Sequence, residues 1–116
     1  MNLTEQTRRA QLGSIVQDIE TALKEYNLWL GVDDAKYPSQ QDLASGQPFC
    51  VDTMAFEVWL QCVLLVRFNH MLHHQEALPK RCDIYPMATE CFKQREYPRL
   101  LLAIKALDKL LTVSKG

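Results

Sequence analysis

Between Thr53 and His74 the chain reads TMAFEVWLQCVLLVRFNHMLHH, with apolar side chains at Met54, Ala55, Phe56, Val58, Trp59, Leu60, Cys62, Val63, Leu64, Leu65, Val66 and Phe68. This density, with no period-two alternation, predicts one helix, capped by Asp52 or Thr53. A helix that is greasy on almost every side is covered by neighbours, so the rest of the chain must supply its cover. Val58–Val66 is interrupted by Gln61 and flanked by Glu57 and Arg67. A membrane span takes ~20 apolar residues, so this is a buried helix and no membrane partner is expected.

The flanking segments repeat the helical period. Leu12, Ile15, Val16, Ile19, Leu23, Tyr26 and Leu30 step along one face of a helix from about Thr4 to Trp29. Thr4 caps it, and Gly31 is placed to close it. Residues 32–51 hold two prolines, Gly46 and several Asx and Ser residues, a long connection that Leu43, Phe49 and Val51 are expected to pin to the core. A short third helix covers about Pro86 to Gln94. A fourth runs from Pro98 to about Val113 on Leu100, Leu101, Ile104, Leu107, Leu110 and Leu111, with Lys109 and Lys115 near its negative end. The expected fold is all-α: a four-helix bundle with a long first connection and a short third helix.

A chain of 116 residues has room for one domain, residues 1–116. Its 47% hydrophobic and 23% charged residues exclude disorder and collagen-like repeats. Cys50, Cys62, Cys82 and Cys91 form no CxxC pair, the usage of a reducing compartment. The opening MNLTEQTRRAQ lacks the apolar core of a secretory signal. A cytoplasmic location is the resulting expectation.

The net charge of −1 hides an asymmetry. Residues 1–78 carry five basic side chains against ten acidic, and residues 79–116 carry eight against four. Lys80, Arg81, Lys93, Arg95 and Arg99, interleaved with Tyr85, Phe92 and Tyr97, are therefore candidate RNA contacts, since arginines beside aromatics can hold phosphates and stack bases. The alternative is a solvated face that meets the acidic part of the same molecule.

Around the central helix, Gln47, Pro48 and Phe49 with Asp52 and Thr53 make a candidate recognition surface at a helix N-terminus. The same residues also serve as an ordinary entry, with a cap and an aromatic plug. Trp59, Gln61 and Arg67 are the polar-capable groups on the apolar rod. A buried Arg67 requires a carboxylate, for which Glu57, Asp52, Asp33, Asp34 and Asp42 are available; a partner-facing arginine is the other reading. His70 and His74 lie one turn apart, but no glutamate completes an HExxH pattern, and a hydrophilic helix end is the simpler reading. No phosphate loop, nucleophile–base pair or cofactor motif is present, so no catalytic residue, metal or cofactor is assigned.

The order Gln47-Pro48-Phe49, Asp52-Thr53-Met54, Trp59-Leu60-Gln61, Arg67 and Leu78-Pro79 resembles the YqcC-like family of small bacterial proteins, a domain of unknown function. The resemblance covers nearly the whole chain and ends around Leu107-Asp108-Lys109-Leu110. It implies a four-helix bundle and a gene context beside tRNA pseudouridine synthase C, and it implies no catalytic residues. Val66 stands where relatives often carry a proline before the arginine. A catalytic pseudouridine synthase needs a β-rich scaffold and a loop aspartate that this chain lacks. The expected function is a non-catalytic accessory or interaction module with a protein partner, linked to tRNA modification only through that context; the alternative is direct RNA binding by the basic third.

Overall fold

Thr4 opens the first helix by accepting the N–H of Thr7 on its hydroxyl at 3.0 Å, with Glu5 beside the positive end. The computed structural model describes residues 4–112. Its helices are α1 (Glu5–Glu25), α2 (Gln40–Leu43), α3 (Phe56–Trp59), α4 (Leu65–His73), α5 (Tyr85–Cys91) and α6 (Pro98–Leu111). A 3-10 turn spans Pro48–Cys50, and a π-helical turn, Leu60–Leu64, joins α3 to α4. There is no strand among the described residues. The protein is all-α, and its four main rods are α1, the α3–α4 rod, α5 and α6. Val113 and Lys115, expected at the end of the last helix, lie outside the described residues.

The helix boundaries differ from expectation where a local bond outcompetes the periodic pattern. α1 ends at Glu25, short of Trp29. Asn27 takes φ 60°, and the Leu28 N–H bonds back to the Leu23 carbonyl at 2.8 Å. That left-handed closure is the work expected of Gly31; asparagine is the residue after glycine that tolerates it best.

The central rod begins at Phe56, so neither Asp52 nor Thr53 caps it. Ala55 stands at the N-cap with no side-chain bond. The two polar residues are used elsewhere: the Ser45 hydroxyl donates to Asp52, and the Thr53 hydroxyl donates to the Asp42 carbonyl at 2.8 Å.

α1 and α6 run antiparallel. Arg8 near the start of α1 donates to the Leu110 carbonyl at 3.3 Å, and Glu25 at its end pairs with Arg99 at 3.0 Å. Leu12, Ile19 and Leu23 of α1 and Leu100, Ile104, Leu107 and Leu111 of α6 are fully buried with Leu60. α4 packs against α1, and α5 against α6. α5 has no cap of its own; Asp108 of α6 accepts the Ile84 and Tyr85 N–H groups at 2.8 and 2.7 Å. A carboxylate on two orphan donors is a charge-assisted cap supplied by a neighbouring helix.

The rod is covered less completely than its composition suggests. Phe56, Val58, Trp59, Leu60, Gln61, Leu64, Leu65 and Phe68 are buried, but Val66 is 60% exposed and Arg67 is also at the surface. Its second half therefore has an open side. The connection departs too: Leu43 and Val51 are 39% and 57% exposed and do not pin it. Phe49 does, packed against the core, and Pro38 of the same connection is buried.

Candidate functional site

The residues singled out between Gln47 and Arg67 divide into an inner set that holds the loop and an outer set that faces solvent. Phe49 belongs to the inner set. Its ring meets Trp59 at 4.9 Å and Phe56 at 5.7 Å, both edge to face, while Phe56 and Trp59 stack at 5.7 Å. Phe92 and Tyr97 extend the cluster at 5.6 and 5.3 Å, and Tyr26 closes it at 4.9 Å from Tyr97. Edge-to-face pairs of this kind add to area burial. Seating Phe49 requires φ 57°, followed by Cys50 at φ 49°. Bulky residues rarely occupy that region, and each such residue costs on the order of 1–3 kcal/mol. The aromatic packing offsets that strain. Thr53 locks the same turn from the other side, while Gln47, Pro48 and Asp52 remain exposed.

Gln61 is the one buried polar residue among the described residues, at 6% exposure. Its amide reads the Leu30 backbone in both directions. Leu30 N–H donates to Oε1 at 2.8 Å, and Nε2 donates to the Leu30 carbonyl at 2.8 Å. One side chain thus satisfies a donor and an acceptor of the segment leaving α1. Gln61 lies in the π turn, where Leu65 N–H reaches the Leu60 carbonyl rather than the carbonyl four residues back. The sequence marked Gln61 as an interruption of an apolar run; its two-sided bond needed coordinates to be seen.

On the open side of the rod, Leu43, Cys62, Val63, Val66, Met71 and Arg67 line a shallow groove of about 380 Å³, with His70 and Glu76 at its edge. Arg67 has no ion pair among the described residues, so the expected internal pair with Glu57, Asp52, Asp33, Asp34 or Asp42 is replaced by a surface guanidinium. Burial raises the Cys62 thiol, and a hydrogen bond from Tyr37 partly lowers it again. Tyr37 is itself raised, first by Cys62 and then by burial. His70 pairs with Glu76 at 3.1 Å and sits 4.2 Å from the His74 ring. Among the described residues no three His, Cys, Asp or Glu side chains gather as a metal set. No described helix is long and apolar enough to cross a membrane.

The basic residues of the last third are divided among ion pairs and separate clefts. Arg81 pairs with Asp83 at 3.7 Å, Lys93 with Glu90 at 3.1 Å and Arg99 with Glu25 at 3.0 Å. Arg95 and Arg99 share a cleft with Tyr26 and Tyr97, and Lys80 lies in a different one. Asp83 and Glu90 belong to the same third, so of these partners only Glu25 offsets its excess of basic side chains.

Fold and surface together define a small all-helical bundle with a partly apolar groove beside a long, pinned connection. A family model, DUF446, described as tRNA pseudouridine synthase C, matches residues 11–110, and the chain belongs to that family. An uncharacterized protein of Haemophilus influenzae is 31% identical over 103 residues, 88% of this chain and 93% of that protein. Uncharacterized protein YqcC of Escherichia coli is 30% identical over 95 residues, 82% of this chain and 83% of the relative. A Pectobacterium carotovorum protein named tRNA pseudouridine synthase C is 38% identical over 74 residues, 64% of this chain but 19% of that protein. No solved structure matches the chain.

Proposed function

We propose that this protein is a non-catalytic accessory module that docks, through the groove beside α4, onto a tRNA pseudouridine synthase. The observation that carries the reading is the Pectobacterium match: a stretch like this chain occupies about a fifth of a protein named as that synthase, leaving four fifths outside it. A module that occurs within a longer chain in one organism can occur as a separate partner in another. The groove supports the reading physically. Val66 and Leu43 expose apolar surface beside Arg67, the mixture of an apolar centre and an arginine rim that protein interfaces favour.

The test is size-exclusion chromatography of the purified chain mixed with tRNA pseudouridine synthase C of the same organism, with and without nuclease. Co-elution is expected, unaffected by nuclease and lost on Val66→Glu with helicity retained. Separate elution of the two proteins at tens of micromolar would overturn the reading. Co-elution that nuclease abolishes would favour RNA as the bridge instead.

A further inference from the structure

We propose that the cleft between the start of α1 and the turn after α4 is a phosphate-binding site, independent of any docking by the synthase. The cleft has a volume of about 790 Å³ and is lined by Glu5, Arg8, Arg9, Gln75, Leu78 and Lys80, among others. Three cations from two distant parts of the sequence converge there against one carboxylate. Arg8 is already engaged, pairing with Glu5 at 3.6 Å and donating to the Leu110 carbonyl. That leaves the charges of Arg9 and Lys80 in excess, and neither has an ion pair among the described residues.

Arg9 carries the second observation. One of its terminal nitrogens, Nη2, donates to the Glu76 carbonyl, which fixes the guanidinium against the turn. The other, Nη1, is buried and has no hydrogen-bond partner, the one such side-chain atom among the described residues. A buried donor left unmade is unfavourable, and more so on a charged group. An oxyanion in the cleft would draw the fork off the Glu76 carbonyl and take both Nη1 and Nη2. Lys80, exposed on the opposite segment, supplies a mobile point charge for the same ligand. The arrangement favours phosphate over carboxylate. A carboxylate is satisfied by one guanidinium fork, whereas phosphate has acceptor oxygens enough to bridge a fork and a separate ammonium.

Pyrophosphate titrated calorimetrically at low salt tests the site directly, with acetate as the carboxylate control. A short single-stranded RNA followed by fluorescence anisotropy tests whether the phosphate can belong to a backbone. Pyrophosphate binding is expected, with acetate at least tenfold weaker. Lys80→Gln should weaken pyrophosphate about three- to tenfold. Arg9→Lys, which keeps the charge but loses Nη1, should weaken it comparably. Lys93→Gln, which touches only the Glu90 pair, should change nothing. If RNA binds as well, Lys80→Gln should reduce its salt slope by ~0.7, one contact on a single strand; if RNA fails while pyrophosphate binds, the ligand is a free phosphate compound. Absence of pyrophosphate binding, or equal weakening by Lys80→Gln and Lys93→Gln, overturns the proposal. Because Lys80 is exposed, its variant remains informative even if Arg9→Lys lowers stability.

Discussion

Replacing Gln61 should cost this fold more than replacing any exposed polar residue. Gln61→Leu preserves much of the side-chain volume in the π turn but removes both bonds to Leu30, each 2.8 Å long. Two ordinary hydrogen bonds are worth ~0.5–1.5 kcal/mol each, and stranded buried partners cost ~1–3 kcal/mol apiece. Leu30 is only half-buried, so water can reach it in part, and the expected loss falls at about 2–4 kcal/mol. Gln61→Glu separates the two bonds. An ionised carboxylate still accepts from the Leu30 N–H but cannot donate to its carbonyl; a protonated one can do both. Burial and the facing carbonyl would raise the folded-state pKa of this glutamate above the ordinary value of about 4.3. Its contribution is then fully present below pH ~4.3 and lost as pH rises through the folded value. Relative to the parent at each pH, the variant should be less destabilised in acid than at neutrality. Urea unfolding followed by tryptophan fluorescence and circular dichroism measures both. A loss under ~0.5 kcal/mol for Gln61→Leu, or a pH-independent deficit for Gln61→Glu, would refute the clamp.

Trp59→Ala should destabilise by ~3–5 kcal/mol in the same assay, because Trp59 is 8% exposed and holds Phe49 and Phe56. Asp108→Ala strands the Ile84 and Tyr85 N–H groups and should cost at least ~1–2 kcal/mol, with weakened amide protection concentrated at the start of α5. The Cys82 thiol is pushed well above its ordinary range by burial, with Asp108 and Asp83 adding to the shift. At pH 8 it should react with iodoacetamide more slowly than a free cysteine in a model peptide, and unfolding in urea should abolish the difference; equal rates in the folded state would contradict that environment.

How much of this was legible beforehand depends on the range of the interaction. The stripes of α1 and α6, the Thr4 cap and the helical rod around Trp59 follow from local spacing, and Leu12, Ile19, Leu100, Ile104 and Leu107 are buried as those stripes require. Asn27 in place of Gly31 shows the limit of reading glycine as the stop, since an asparagine four residues earlier closes the helix first. The entry to the rod misled for a different reason. Asp52 and Thr53 have the right chemistry for a cap, but their partners are Ser45 and Asp42, in the preceding connection. Asp108 capping a helix from across the bundle and Gln61 gripping Leu30 are tertiary bonds with no local signature. The union of Arg8 and Arg9 with Lys80 was hidden by the same cause: a division of charge by sequence position places them in opposite halves.

The groove beside α4 is decided most directly by amide hydrogen exchange on the protein alone and saturated with tRNA pseudouridine synthase C. New protection is expected at α2 around Leu43 and along the rod from Cys62 to Met71, with α5 unchanged. No added protection on mixing, or protection confined to α5 and the start of α6, would contradict docking there.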